Sequence, residues 1–103
     1  MVSIIYSTTS DIEEARKIGR ILVEEKLVAC VNIFPKVESI YHWKGNVEED
    51  NECVLLAKTT VKNIDKTIQK IKELHSYDVP DIIAIPIIQG FKKYLEWIKD
   101  ETL

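Results

Sequence analysis

The stretch that most limits what this chain can fold into runs from Val28 to Thr60. It consists of two extended, apolar-rich segments, Val28–Trp43 and Val47–Thr60, separated by Lys44-Gly45-Asn46. A Gly-Asn pair between two β-rich segments predicts a hairpin turn, because both residues tolerate positive φ. Strands are usually about 5–6 residues long, whereas an arm of about 10 residues extends about 33 Å. Since a domain of roughly 100 residues has a radius of gyration of only about 13 Å, we expect the hairpin tip to project beyond the core.

The predicted hairpin carries aromatic residues near its tip. Tyr41 and Trp43 precede the turn directly. Apolar and aromatic groups far out on a protruding ribbon need cover, and another protein chain is the obvious source of it. Pro35 interrupts the first segment, and because proline removes a ladder donor, it predicts a bulge or a change of sheet partner.

Composition narrows the class of protein. The chain has 103 residues, 46% of them hydrophobic and 30% charged, with a formal net charge of -3. This profile predicts one globular domain over residues 1–103. The mild acidity argues against a nucleic-acid partner. We find neither a membrane-length apolar run nor a signal peptide, and therefore expect a cytoplasmic protein without a membrane partner. Cys30 and Cys53 are expected to be buried free thiols.

The rest of the chain alternates between strand and helix patterns. Ser10 and Glu13 have the spacing of a capping box and predict a helix that runs to about Lys26. The other predicted elements are a strand over Val2–Thr9, a helix over Val61–Leu74, a strand over Ile82–Ile88, and a short helix after Gly90.

The order β-α-β-β-α-β-α predicts the fold class α+β. It suits a ferredoxin-like β-α-β-β-α-β domain with an extra C-terminal helix and a long central β-hairpin. With both main helices on one face of the sheet, the other face is expected to be apolar and bare. Apolar strand residues, namely Ile4 or Ile5, Val31, Val54 and Ile83, cannot all be covered by two helices. A partner chain is again implied.

Five blocks of residues carry a family resemblance that extends over nearly the whole chain. They are Leu27–Ile33, Ser39–Gly45, Glu52 with Lys58-Thr59, His75–Ile83 and Tyr94–Ile98. In this order and spacing they resemble the CutA family of divalent-cation tolerance proteins. The resemblance implies a ferredoxin-like subunit in a tight homotrimer. It also implies a cytoplasmic protein linked to metal tolerance, copper above all, and a likeness in architecture to the PII signalling trimers.

Three positions depart from the family's pattern. Some members carry a cysteine at the end of the first strand, where it has been considered a copper ligand, and this chain has Ser7 there. Asp81 stands where the family usually has glutamate, so that a carboxylate remains but reaches less far. Phe91-Lys92-Lys93 replaces a more polar turn before the last helix.

The candidate metal ligands are His75 and Asp81, which lie close together in sequence with Tyr77 between them. Imidazole and carboxylate both ligate copper or zinc, but two protein ligands make only a weak site. The alternative is structural: His75 caps a helix C-terminus while Tyr77 shapes the loop. The acidic residues Glu48, Asp50 and Glu52 would share one strand face. They would hold a hard cation, form a charged edge that blocks aggregation, or supply one half of an ion-pair network with lysines.

The resemblance also suggests a cleft between subunits near Lys58, Tyr77 and Trp97, with Tyr41 and Trp43 at the trimer interface. The function we expect is that of a trimeric cytoplasmic protein that binds a divalent metal ion weakly, copper(II) above all, and takes part in metal ion tolerance. The alternative is a PII-like trimeric sensor of a small molecule that signals to a protein partner. We do not expect an enzyme, because the sequence has no phosphate-binding glycine loop, no Ser/His/Asp arrangement and no CxxC motif.

Overall fold

Four strands and three α-helices make up the chain in a computed structural model that describes all 103 residues. In chain order they are β1 (Val2–Thr9), α1 (Ile12–Glu24), β2 (Cys30–Trp43), β3 (Asn46–Thr60), α2 (Ile64–Leu74), β4 (Ile82–Pro86) and α3 (Lys92–Asp100), with a 3-10 turn at Val61–Asn63 before α2. The strands form one antiparallel sheet in the order β2-β3-β1-β4. This is the predicted ferredoxin-like arrangement with an added C-terminal helix. No helix is both long enough and apolar enough to cross a membrane.

The long hairpin is confirmed, although its turn lies one residue earlier than predicted. Lys44 and Gly45 form the turn with φ of 49° and 85°, and Asn46 already pairs with Trp43 in the ladder. Two successive positive φ values are typical of a type I′ turn, whose twist matches that of the flanking strands. β2 and β3 have 14 and 15 residues, and the longest dimension of the molecule is 44 Å against 22 Å for the shortest.

Pro35 marks a bulge in β2, which is the first of the two alternatives that its missing N–H predicted. Phe34 pairs with Val54 and Val37 pairs with Glu52, so that one extra residue is present on β2. The free carbonyl of Pro35 accepts a hydrogen bond from Cys53 Sγ at 3.0 Å. The part of the hairpin beyond this bulge, residues 37–52, is called the arm below.

The main core lies between the sheet and the pair α1 and α2. Ile18 and Leu22 of α1 and Ile71 of α2 are fully buried against Ile5 and Leu55 of the sheet. Each such side chain contributes about 1.5–3 kcal/mol when it is removed from water. This layer anchors β1 and β3, and both strands contribute side chains to the opposite face.

The N-cap of α1 lies one residue later than predicted, and the glutamate that reaches back bonds the residue before the N-cap. Asp11, not Ser10, is the N-cap, and its Oδ1 accepts from the backbone N–H of Glu14 at 2.8 Å. Glu14, not Glu13, is the returning glutamate, and its Oε1 accepts from the backbone N–H of Ser10 at 3.1 Å. The helix also ends earlier than expected, because Lys26 adopts a φ of 59° and turns the chain toward β2.

The face of the sheet opposite α1 and α2, called the open face below, is less bare than expected. Strand alternation places Val54 and Ile83 there, but Ile5 and Val31 pack on the helix side. The prediction therefore overstated the uncovered area. α3 also covers one end of the open face, where Ile98 is fully buried.

Part of the open face nevertheless stays exposed. Phe34, Ile83 and Ile85 keep 50%, 50% and 41% of their surface accessible. β4 ends at Pro86 rather than at Ile88, so the last predicted apolar residues lie outside the sheet.

Candidate functional site

A cavity of about 450 Å³ lies on the open face where the arm begins. Its walls come from the end of β1, both strands of the arm, and the loop over residues 75–81 that joins α2 to β4. The lining residues are Tyr6, Thr8, Ser39, Tyr41, Trp43, Glu52, Tyr77, Asp78, Val79 and Asp81. This volume lies within the range of small-molecule sites, about 300–1,000 Å³.

The bulge at Pro35 decides which side chains of β2 reach this cavity. Before the bulge, the odd-numbered residues Val31 and Ile33 face the helices and pack on the main core. The extra residue inverts the alternation. Beyond it the odd-numbered residues Tyr41 and Trp43 lie on the open face and line the cavity. The two aromatic residues that were predicted at an interface thus line the same cavity as Glu52.

Two tyrosine hydroxyls donate hydrogen bonds to carboxylates at the cavity. Tyr77 Oη donates to Glu52 Oε2 at 2.8 Å, and Tyr41 Oη donates to Asp50 Oδ2. Burial and the bond to Glu52 raise the pKa of Tyr77, while the bond to Asp50 raises the pKa of Tyr41 to about 12. Both phenols therefore remain protonated near neutral pH and act as donors that orient the carboxylates.

The charged residues that line the cavity are all acidic, namely Glu52, Asp78 and Asp81. The salt bridges of the chain lie elsewhere, and none includes these three residues. Asp81 Oδ2 accepts from Thr8 Oγ1 at 3.5 Å. Burial and the nearby charge of Glu52 raise the pKa of Asp81, and no basic side chain of the same chain lines the cavity.

His75 is the C-cap of α2, and its side chain is fully buried. Its Nε2 donates to the Thr8 carbonyl at 2.8 Å, and its Nδ1 accepts from the backbone N–H of Tyr77 at 3.1 Å. Both ring nitrogens therefore have partners within the chain, and they join the 75–81 loop to β1.

Glu14 supports the same loop from the helix side. Its Oε2 accepts from the backbone N–H of Ser76 at 2.8 Å and lies 3.9 Å from His75 Nδ1. Burial acts to raise the pKa of Glu14, but hydrogen bonds from Ser76 and Ser10 and the nearby His75 outweigh it, and the net pKa is lowered. The loop is thus held from both α1 and β1.

The two predicted metal ligands, His75 and Asp81, both form a hydrogen bond with Thr8. His75 contacts the carbonyl of Thr8 and Asp81 contacts its hydroxyl. No group of three or more His, Cys, Asp or Glu side chains converges anywhere in the chain. Nearby on β1, Ser7 Oγ is buried without a hydrogen-bond partner. One chain alone therefore offers no more than a pair of ligands at this corner.

The acidic residues of β3 do share one face, as the alternation predicted. Glu48, Asp50 and Glu52 pair across the ladder with Tyr41, Ser39 and Val37. Asp50 and Glu52 are each engaged by a tyrosine hydroxyl, and the three carboxylates do not converge on one point.

Lys58 and Trp97 lie at the other end of the sheet from Tyr77. Lys58 Nζ donates to Asn32 Oδ1 at 3.0 Å and lies 5.6 Å from the centroid of the Tyr94 ring, which stacks on Trp97 at 5.5 Å. Lys58 is six positions from Glu52 along β3, about 20 Å away. Within one chain the predicted cleft residues are therefore far apart. Tyr77 could contact Lys58 and Trp97 only if these belong to a different subunit.

Sequence reasoning missed the contribution of β1 and of the loop to the cavity. Tyr6 and Thr8 were predicted only as part of a strand over Val2–Thr9, and Val79 received no role, although all three line the cavity. The available signal was the alternation in β1, which places Tyr6 and Thr8 on one face. Nothing local to the 75–81 segment shows that it folds over that face.

Comparisons with known proteins identify relatives along the full chain. A family model described as "CutA1 divalent ion tolerance protein" matches residues 3–101. The divalent-cation tolerance protein CutA of Thermus thermophilus is 46% identical over 99% of both chains, and its structure superposes with a TM-score of 0.96.

Relatives from other lineages have similar sequence identities to this chain. A chloroplastic CutA of Arabidopsis thaliana is 42% identical over 96% of this chain, which spans 54% of that relative's length. A solved structure from Archaeoglobus fulgidus, described as a periplasmic divalent cation tolerance protein CutA, is 40% identical over 98% of both chains, with a TM-score of 0.95.

Proposed function

Because the chain belongs to the CutA1 family of divalent ion tolerance proteins, we propose that it acts in metal ion tolerance as a cytoplasmic homotrimer that binds divalent ions weakly, copper(II) among them. The observation that carries the metal proposal is the corner at Thr8, where an imidazole and a carboxylate contact the same residue. Both groups are competent ligands for copper(II) or zinc.

The same geometry accounts for weak binding. A tight structural site uses four protein ligands, and the chain supplies two at this corner. To ligate a metal through Nδ1, His75 must also give up the hydrogen bond from the Tyr77 N–H. Further ligands would come from a neighbouring subunit or from water.

Calorimetric titration with copper(II) tests this site. We expect His75→Ala and Asp81→Asn each to weaken binding about tenfold, a loss of about 1.4 kcal/mol. Binding should also weaken in acid, since an imidazole must be neutral to ligate metal. His42→Ala is the matched control, because it removes the other histidine, which is exposed on the arm. Equal affinities of the wild type and His75→Ala would remove His75 from the site, and a loss in His42→Ala would relocate it to the arm.

The homotrimer is supported by apolar surface that one chain leaves uncovered. On the arm, Ile40 and Val47 are 66% and 65% exposed, and on the open face Phe34 and Ile83 are half exposed. β2 and β4 are the two edges of the sheet and present unpaired main-chain groups. An arm that pairs with the β4 edge of its neighbour would satisfy those groups while its aromatic residues cover the neighbour's surface.

Light scattering and unfolding at several protein concentrations test the assembly. Trp43→Ala should weaken it, because each large apolar side chain buried at an interface contributes about 1.5–3 kcal/mol. Phe91→Ala, which also truncates an exposed aromatic residue but lies just before α3, should not. A wild type that remains a folded monomer at micromolar concentration would defeat the trimer proposal.

A small-molecule sensor of the PII type is the second candidate. One observation favours it: a cavity of about 450 Å³ is far larger than a single metal ion requires. In either case we expect no hydrolase or transferase activity of its own. Turnover that is abolished by Lys58→Ala in an intact assembly would overturn that expectation.

A further inference from the structure

Residues 101–103 pass around the end of the sheet, from α3 on the open face to the layer that α1 and α2 form. The N–H of Leu103 donates to the carbonyl of Lys26 at 3.0 Å, in the turn that follows α1. The carbonyl of Leu103 accepts from Asn63 Nδ2 at 3.1 Å, directly before α2. These two hydrogen bonds are called the clasp below. Both use main-chain atoms of Leu103, so the clasp joins the segment after α3 to the opposite layer without its side chain.

The side chain of Asn63 is only 2% exposed and depends on partners within the chain. Its Nδ2 donates to Leu103 and to Thr60 Oγ1, at 3.1 Å in each case. An amide nitrogen carries two donor hydrogens, so both are used. A buried donor that loses its acceptor is costly, and the contact with Leu103 is therefore a stabilising one.

α3 has little support besides the clasp. It contains 9 residues, whereas isolated helices shorter than about 12–15 residues are marginal in water. No side chain caps its N-terminus, where Lys92 and Lys93 place positive charge at the positive end of the helix dipole. Ile98 is its only buried residue and packs against Val2 and Ala29. One side chain within the helix and the clasp beyond it thus hold α3 on the sheet.

We propose that α3 and residues 101–103 form a strap that opens as one unit, separately from the main core, and that the clasp keeps it closed. The clasp partners Lys26 and Asn63 adjoin α1 and α2, on the other side of the sheet from the face that the proposed trimer covers. A neighbouring chain on the open face therefore does not cover the clasp. This inference goes beyond metal tolerance and requires no bound metal.

Opening of the strap changes the surroundings of three side chains. Trp97, which was predicted in the cleft between subunits, lies on α3 and stacks on Tyr94 at 5.5 Å. The hydroxyl of Tyr94 lies 3.6 Å from Cys30 Sγ. Both aromatic residues leave the sheet with α3, and Cys30 loses its partner. The clasp thus controls one end of the open face from the layer of α1 and α2.

Hydrogen exchange of the assembled protein, followed by mass spectrometry of its peptides, tests the strap. Segments that open locally exchange faster than segments that exchange only when the whole molecule unfolds. In the wild type we expect peptides from α3 to exchange at least about tenfold faster than peptides from β1 and β3.

Leu103→Pro is the key variant, because proline has no N–H to donate to Lys26. It should raise the exchange rate of α3 about tenfold, which corresponds to about 1.4 kcal/mol, and leave the rates of α1 and β3 unchanged. Leu103→Ala is the matched control. It keeps both main-chain groups of the clasp and removes only a side chain that is 54% exposed, so α3 should exchange as in the wild type.

Asn63→Ala tests the other bond of the clasp. It should accelerate the exchange of α3 about as much as Leu103→Pro does, because each variant removes one of the two bonds. Thr60→Val is its matched control, since it removes the other acceptor of the same amide and leaves the contact with Leu103 in place. We expect Thr60→Val to leave the exchange of α3 unchanged.

Four outcomes would overturn the proposal. Equal exchange of α3 and β1 in the wild type, or a uniform rise over all segments in Leu103→Pro, would show that α3 opens only with the whole molecule. Equal effects of Leu103→Pro and Leu103→Ala would assign the contact to the side chain. Unchanged exchange of α3 in Asn63→Ala would show that the clasp does not hold the strap.

Discussion

Replacing Glu14 with glutamine should destabilise the protein by removing the charge that holds the 75–81 loop to α1. The carboxylate accepts three hydrogen bonds, from the Ser76 N–H at 2.8 Å and from the N–H and Oγ of Ser10 at 3.1 Å each. Hydrogen bonds to charged groups contribute about 1.5–3 kcal/mol each. The donors are exposed and regain water when the charge is lost, and glutamine keeps one acceptor oxygen. The expected net loss is therefore about 1–2 kcal/mol in the free energy of unfolding.

Thermal unfolding at one fixed protein concentration measures this loss, because assembly makes the midpoint concentration-dependent. For a domain of this size each kcal/mol lowers the midpoint by about 4–8 °C. Glu13→Gln is the matched control. Glu13 pairs with Arg16 at 3.0 Å, but its side chain is 79% exposed, and such exposed pairs contribute only about 0–1 kcal/mol.

The pH dependence has a definite sign. The folded state lowers the pKa of Glu14 below its ordinary value of 4.5, so the charged carboxylate stabilises the fold above that pH. The stabilisation is lost as the pH falls through the lowered folded-state pKa. The difference in the free energy of unfolding between the wild type and Glu14→Gln should therefore be constant near neutral pH and become smaller in acid. A variant as stable as Glu13→Gln at pH 7, or a gap that widens in acid, would refute the reasoning.

Three further predictions concern single features of the fold. Lys44→Asn should raise the free energy of unfolding by roughly 0.5 kcal/mol, since asparagine tolerates the positive φ of the turn better than lysine does. Urea unfolding measures this change, and a lower free energy of unfolding would contradict the type I′ assignment. Thr59→Val should cost about 1–3 kcal/mol in the same assay, because it removes the buried bond from Oγ1 to the Leu27 carbonyl at 2.6 Å; a neutral result would show that the carbonyl finds another donor. Cys53 is buried, and desolvation raises the pKa of its thiol, so a thiol reagent should modify half-buried Cys30 first and Cys53 only on unfolding.

The elements of the fold could be predicted because each rests on a local pattern. The apolar stripe of α1, the alternation along the strands and the missing N–H of Pro35 all act within one element. The two errors of one residue have different causes: equivalent candidates at the N-cap of α1 and an unexpected residue in the hairpin turn. Ser10 and Asp11 are both good N-caps, and the turn required positive φ at Lys44, a residue that local preference would not choose.

The candidate site could be predicted only in part. His75, Asp81, Tyr77 and Glu52 were found because their residue types suit ligands or hydrogen bonds, but their partners lie far away in sequence. His75 contacts Thr8 across 67 positions, and Tyr77 contacts Glu52 across 25. No pattern within the 75–81 segment shows that this loop will cover β1, because the two segments are distant in the sequence.

The sequence by itself determined the order of the elements, the long hairpin and an irregularity at Pro35, because backbone sterics and the burial of apolar side chains act over a few residues. Only the tertiary structure decided that Tyr41 and Trp43 share a cavity with Glu52 and Asp81. One extra residue at Pro35 turns the later side chains of β2 to the opposite face. That inversion becomes visible only when β2 is paired with β3, because a side chain's direction depends on the register of the whole ladder and not on its own neighbours.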